Sequence, residues 1–151
     1  MIREATAADI PEIAHVFHAA IREGPSPYTE EQRQAWSREV SPADAWEQRL
    51  EPMHVVVADR TGVVGFMGVL PNGYVDLAFI LPSERGAGLF RGMYSEIEAW
   101  AKAKALSRLE THASLIAEPP FAAVGFTVTD RESIERDGER LARASMKKEL
   151  R

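Results

Sequence analysis

Tyr74-Val-Asp-Leu-Ala-Phe-Ile-Leu-Pro-Ser-Glu-Arg-Gly-Ala-Gly-Leu-Phe-Arg91 is the stretch on which the fold turns. Its first part, Tyr74 to Leu81, reads as a buried strand closed by Pro82. Its last part opens a helix, because Leu89, Met93, Ile97, Trp100 and Ala101 recur at helical spacing up to about Lys104. Between them lies a glycine-rich turn flanked by Arg85 and Arg91, with no acidic residue between the two arginines. A strand, a glycine turn and a helix N-terminus together form an anion site. Glycine lets the backbone approach a ligand, and the unpaired helix N–H groups face it with the positive end of the dipole. The segment Arg85, Gly86, Ala87, Gly88, Leu89, Phe90 and Arg91 therefore predicts a phosphate-bearing ligand. Gly86-x-Gly88 alone would serve a tight turn equally well. The usual nucleotide patterns, G-x-x-x-x-G-K-[ST] and a G-x-G-x-x-G after the first strand of a βαβ unit, are absent.

Towards the N-terminus, Ile2 to Ala5 reads as a first strand. Asp9 then starts a helix, with Glu12 completing a capping box and Pro11 in the first turn. Ile10, Ile13, Ala14, Phe17 and Ile21 share one face of it, and Gly24 ends it. Thr29 caps a short helix through Trp36, and Ser41-Pro-Ala-Asp44 starts another that runs to about Leu50. The period then changes. His54 to Ala58 and Val63 to Leu70 are strands, and Asn72-Gly73 turns the second of them into the strand at Tyr74. Beyond the central helix come a strand from Arg108 to Ala113 and a short helix from Pro119 to Val124. Phe126 to Ile134 and Leu141 to Lys148 then form a hairpin around Asp137-Gly138. The expected class is α+β, a mixed sheet of about seven strands with helices on both faces, in one domain over residues 1–151.

Composition excludes several chemistries. The chain has 151 residues, 45% apolar and 27% charged, enough for a sizeable core. It contains no cysteine, so disulfides, thiolate metal sites and a cysteine nucleophile are ruled out. His15-x-x-His18 lacks a third ligand, and no metal is expected. A formal charge of −5 disfavours nucleic acid, and no apolar run is long enough to span a membrane. A cytoplasmic location is expected.

Leu81 to Arg91 resembles the acetyl-CoA loop of the GNAT N-acetyltransferase superfamily, whose pattern is [QR]-x-x-G-x-[GA]. Arg85 and Gly88 match it, while Phe90 stands where the family usually has glycine or alanine. Ser114-x-x-Ala117 and Gly125-Phe126 resemble a second family segment, N-x-x-A … Y-x-x-x-G-F, and the order of elements agrees along the chain. The resemblance implies a mostly antiparallel sheet and acetyl-CoA as co-substrate. It places the backbone of Phe79, Ile80 and Leu81 along the pantetheine arm, in a groove opened by splaying that strand from the next, with Ser114 and Phe121 beside it. It further implies acetyl transfer to a primary amine of a small molecule or peptide. With no cysteine to carry an acyl-enzyme, direct attack in a ternary complex is the simpler reading, and a homodimer is permitted.

The chemistry needs a base, since only a neutral amine attacks a thioester, and an N–H for the oxyanion. Asp76 is the first candidate base. It interrupts an apolar strand, and it matches the position six residues before the proline where the family often carries an acid. Strict alternation puts it on one face with Tyr74, Ala78 and Ile80. His112, on the strand after the central helix, is its rival. The oxyanion N–H is expected near Phe79 or Ile80. The family's usual acid, a tyrosine, is replaced by Phe121, which cannot donate a proton. The thiolate then leaves unassisted, takes a proton from water, or is served by Tyr94 or Tyr74. A silent acyl-CoA-binding module is the alternative. Tyr28, Trp36 and Trp46 wall the acceptor side or simply pack, and the charges of the last hairpin read as a solvated surface.

Overall fold

The computed structural model describes residues 1–151. Its strands are β1 (Ile2–Glu4), β2 (His54–Asp59), β3 (Val63–Val69), β4 (Tyr74–Ile80), β5 (Arg108–Ser114), β6 (Thr127–Arg136) and β7 (Glu139–Glu149). Its α-helices are α1 (Ile10–Arg22), α2 (Glu30–Trp36), α3 (Ala43–Leu50), α4 (Leu89–Ala103) and α5 (Glu118–Ala123). The strands form one seven-stranded sheet in the order β1-β2-β3-β4-β5-β7-β6. Every neighbouring pair is antiparallel except β4 and β5. The architecture is the expected α+β one.

Each face of the sheet buries its own apolar layer. Val55, Val57, Phe66 and Leu77 pack with Ile13, Val16, Trp46 and Leu50 of α1 and α3. Val56, Met67, Val69 and Val75 pack on the opposite face with Met93, Ile97 and Ala101 of α4, together with Phe121 and Phe126. Alternate residues of β2 feed the two layers, as a strand buried on both sides requires.

Two sequence expectations are corrected. The capping box lies one turn earlier than Asp9/Glu12, because Thr6 and Asp9 form it around a 3-10 turn. Asp9 accepts the Thr6 N–H at 2.8 Å, and its two carboxylate oxygens each take a 2.8 Å bond from Arg3. The Arg3 guanidinium holds the Asp9 carboxyl down at about 2. Glu12, freed from capping, accepts the Val63 N–H at 2.7 Å and ties α1 to β3. The second correction concerns β4. Gly68 pairs with Leu77 but Val69 pairs with Val75, so Asp76 is the extra residue of a β-bulge. The bulge resets the alternation. Val75 joins the α4 layer and Leu77 the α1 layer, so of the face assumed for Tyr74, Asp76, Ala78 and Ile80 only Ala78 and Ile80 stay together, against the α4 layer.

Candidate active site

Strands β4 and β5 form a fork. They pair only at Tyr74↔Glu110 and Val75↔Thr111. The first residues beyond the last rung are Asp76 on one strand and His112 on the other. The two candidate bases thus flank the crotch of the fork, and the strands diverge from there.

The open end of the fork holds a cavity of about 300 Å³. Of the residues expected along the cofactor, Phe79, Ile80, Arg85, Gly86, Gly88, Leu89, Phe90, Arg91 and Ser114 line it, whereas Leu81, Ala87 and Phe121 do not. The reason for Leu81 is its amide, which donates to Val64 O at 2.9 Å and so belongs to the β3–β4 ladder. Antiparallel alternation then turns the main-chain groups of Phe79 and Leu77 towards β3 as well. Those of Ala78 and Ile80 point into the fork. The oxyanion donor expected near Phe79 or Ile80 is therefore not Phe79.

Gly86 and Gly88 have φ of +80° and +81°, the left-handed conformation that glycine adopts without strain. A Cβ built on either one meets no protein atom within 4 Å. Gly88 is the N-cap of α4, and the first turn carries no acidic residue. The N–H groups of that turn have no partner within the helix, so the turn suits an anion. The Phe90 ring packs edge-on against Phe121 at 4.9 Å, which leaves its amide clear. The flanking arginines tether the loop to α1 and α5. Arg85 donates to Ala20 O at 2.9 Å, and Arg91 donates to Ala123 O at 3.2 Å. Burial pushes the Arg85 guanidinium below its ordinary value.

A second cavity, about 180 Å³, lies at the crotch. It shares Trp36, Ala78, Phe79, Ser114 and Ala117 with the first, so the two adjoin. Its polar lining includes Arg49, Tyr74, Asp76, His112, Arg136 and Arg143. Tyr74 OH and His112 Nδ1 are 2.7 Å apart, and His112 Nε2 stands 3.4 Å from Glu132. In the tautomer that carries its hydrogen on Nε2, facing Glu132, the His112 Nδ1 accepts a hydrogen bond from the Tyr74 hydroxyl. Burial raises the Tyr74 phenol above its ordinary value, and the nearby Asp76 charge adds to this. Asp76 itself meets Arg49 at 3.8 Å, beyond hydrogen-bond reach, which leaves its oxygens free to take a ligand.

The remaining candidates separate cleanly. Phe121 is 2% exposed, its ring 4.9 Å from Phe126, and it borders the second cavity rather than the first. Tyr94 donates to Glu98 at 2.8 Å, is pushed far up by burial and that carboxylate, and lines neither cavity. Tyr74 is the tyrosine of the pair that borders the site. Trp36 lines both cavities, while Trp46 packs in the core. Tyr28 borders the second cavity and pins the hairpin, giving its hydroxyl proton to Ala142 O at 2.7 Å and accepting the Leu115 N–H at 2.8 Å. His18 meets the Ser37 hydroxyl at 2.7 Å. Sequence reasoning missed Arg49, Arg143 and the cavity role of Arg136. No local signal marks them, since they meet only through the fold.

The model of the acetyltransferase (GNAT) domain matches residues 25–150, a span that includes the whole fork and the glycine loop. The chain belongs to the GNAT acetyltransferase family. Among solved structures, this GNAT protein is similar to a GCN5-related N-acetyltransferase from Rhodopseudomonas palustris, also described as a class-II aminotransferase. Identity is 26%, the TM-score is 0.90, and the match covers 99% of this chain and 94% of that one. It also shares its fold with a phosphinothricin acetyltransferase from Sinorhizobium meliloti in complex with acetyl-CoA, at 19% identity and TM-score 0.74, over 99% of this chain and 88% of the other. A third is the PaiA N-acetyltransferase from Thermoplasma acidophilum in complex with coenzyme A, at 18% identity and TM-score 0.71, over 99% and 98%. No curated protein matches the chain. No helix of this GNAT protein is long and apolar enough to cross a membrane.

Proposed function

We propose that this GNAT protein transfers the acetyl group of acetyl-CoA to a primary amine by direct attack in a ternary complex. The observation that carries this reading is the fork. It offers an anion-binding turn at its open end, unpaired main-chain groups along one prong and titratable side chains at its crotch. The Gly86–Arg91 turn grips the diphosphate. The pantetheine arm lies along β4 and pairs with main-chain groups of Ala78 and Ile80, as an added strand would. The thioester carbonyl is then delivered to the junction of the two cavities. Two similar folds hold acetyl-CoA or coenzyme A in solved structures, which supports this choice of cofactor.

The acceptor enters through the crotch. Asp76 holds its ammonium and takes the proton, and the neutral nitrogen attacks the carbonyl carbon. A β4 N–H stabilises the oxyanion, the attacking nitrogen gives up its second proton to water, the C–S bond breaks, and the thiolate takes a proton from water or from Tyr74. A thiol with an ordinary pKa of about 8.5 departs readily without a dedicated acid. The Tyr74–His112–Glu132 chain offers a second route for the proton.

The test is incubation of the full chain with acetyl-CoA and a panel of primary amines. Thiol release matched one for one by N-acetylated product is expected. Phe121 favours one competing reading, a silent acyl-CoA-binding module. Saturable coenzyme A binding without thiol release on any amine would establish it.

A further inference from the structure

The crotch cavity carries more positive charge than the attack on a thioester requires. Three guanidiniums from separate elements line it: Arg49 on α3, Arg136 at the end of β6 and Arg143 on β7. Asp76 is the carboxylate that lines it with them. The chain as a whole is acidic, at −5, so this concentration runs against its background.

The three charges are also poorly neutralised. Arg49 stands 3.8 Å from Asp76, at the edge of an ion pair. It is held by ring faces instead, 5.1 Å above Trp46 and 5.5 Å above Phe17, which fixes the guanidinium in place. Arg143 reaches Glu132 at 3.5 Å, but Glu132 is shared with His112, and the buried Nε of Arg143 has no hydrogen-bond partner. Guanidiniums gathered beside a cavity repel one another until an anion arrives among them. A guanidinium fork also matches a planar oxyanion in a way a lone lysine does not.

Resting on the acetyl-transfer reading above, we infer that the acceptor is a small amine that also bears an oxyanion, an amino acid or an amino-phosphonate analogue. Its anionic end sits on Arg49, Arg136 and Arg143, and its amine sits at Asp76. The geometry sorts the two ends. The amine must reach the crotch, where the thioester arrives, and the guanidiniums occupy the walls beside it. A cavity of about 180 Å³ suits an acceptor of amino-acid size. Polycationic acceptors would bring like charge against three arginines.

The experiment compares matched acceptors that differ only in the anion: an amino acid, its carboxamide, its decarboxylated amine and its phosphonate analogue. With the wild-type chain, the acids should exceed the amide and the bare amine by about tenfold or more in kcat/KM. The carboxylate and phosphonate arms show which oxyanion the site prefers. Arg136→Ala and Arg143→Gln should collapse that ratio towards one. Arg136 is exposed, so its variant keeps the test open even if Arg143 proves necessary for packing. Equal or better turnover of the bare amine by the wild-type chain would overturn the inference. If no amine is acetylated at all, the acetyl-transfer reading fails separately. Calorimetry with the coenzyme A complex then decides the present one. Heat with the amino acid, absent with the amine and lost in Arg136→Ala, sustains the anion site, and no heat refutes it.

Discussion

The open end of the fork and its crotch adjoin, yet they are made from different material. At the open end it is the main chain that faces the cavity: left-handed glycines, the first turn of α4 and the inward-facing groups of Ala78 and Ile80. Its two arginines are occupied with carbonyls of the protein. At the crotch it is the side chains: Asp76, His112, Tyr74 and three guanidiniums gathered from α3, β4, β5, β6 and β7. A site of backbone amides can be spoiled mainly by adding bulk or strain. A site of side chains is altered by any single exchange, and its selectivity can change without disturbing the fold.

The contrast can be broken most sharply at Asp76. Asp76→Asn should lower kcat by about 100-fold. The deficit should be greater at pH 6 than at pH 9, because an alkaline medium already supplies the neutral amine. Coenzyme A affinity should not move. A deficit independent of pH would transfer the proton to His112, where His112→Ala is the next variant to measure.

Gly88→Glu tests the opposite end. Left-handed strain and a negative charge at the helix N-terminus together cost about 2 kcal/mol, or roughly 30-fold in the coenzyme A dissociation constant read by calorimetry. Since nothing in the protein crowds that position, unaltered affinity would mean the diphosphate binds elsewhere.

The clasp between Arg3 and Asp9 belongs to neither region and calibrates both. Asp9→Ala should lower the stability by about 1.5 kcal/mol without changing kcat or either KM. The carboxyl sits at about 2 in the folded chain, below its ordinary 3.8, so the clasp is complete above the ordinary value. Its contribution is lost as the pH falls from there through 2. Over that interval the wild-type melting temperature should drop more steeply than that of Asp9→Ala.

The smallest effect is expected at Phe121→Tyr. The ring lies among Phe90 and Phe126 and borders the crotch cavity, so an added hydroxyl has an outlet there. Turnover should stay within about threefold of wild type, consistent with a thiolate that needs little help to leave. A loss beyond that would show that the edge of the ring is in tight contact.

The same division of material governed what could be read in the sequence. Left-handed turns call for glycine and an anion site calls for a helix start, so Gly86, Gly88 and Leu89 announced the open end locally. The succession of strands and helices along the chain followed from period changes and turn residues. The bulge at Asp76 did not show, since one extra residue leaves no mark in composition and appears only against the register of β3. The same register reassigned the amides of Phe79 and Leu81, whose direction depends on the neighbouring strand. The arginine cluster was illegible for another reason. Arg136 looked like part of a solvated hairpin, and only the closure of β7 against β5 brings it and Arg143 opposite α3.

Two rungs of parallel pairing are all the main-chain stitching between the β1–β4 half of the sheet and the β5–β7–β6 half. An extended cofactor lodged between the prongs would be the missing rail of a ladder, bonded to one half and packed on the other. Amides in both halves should then exchange with deuterium more slowly once it is in place, and the acceptor would dock on a platform that its co-substrate has just made whole.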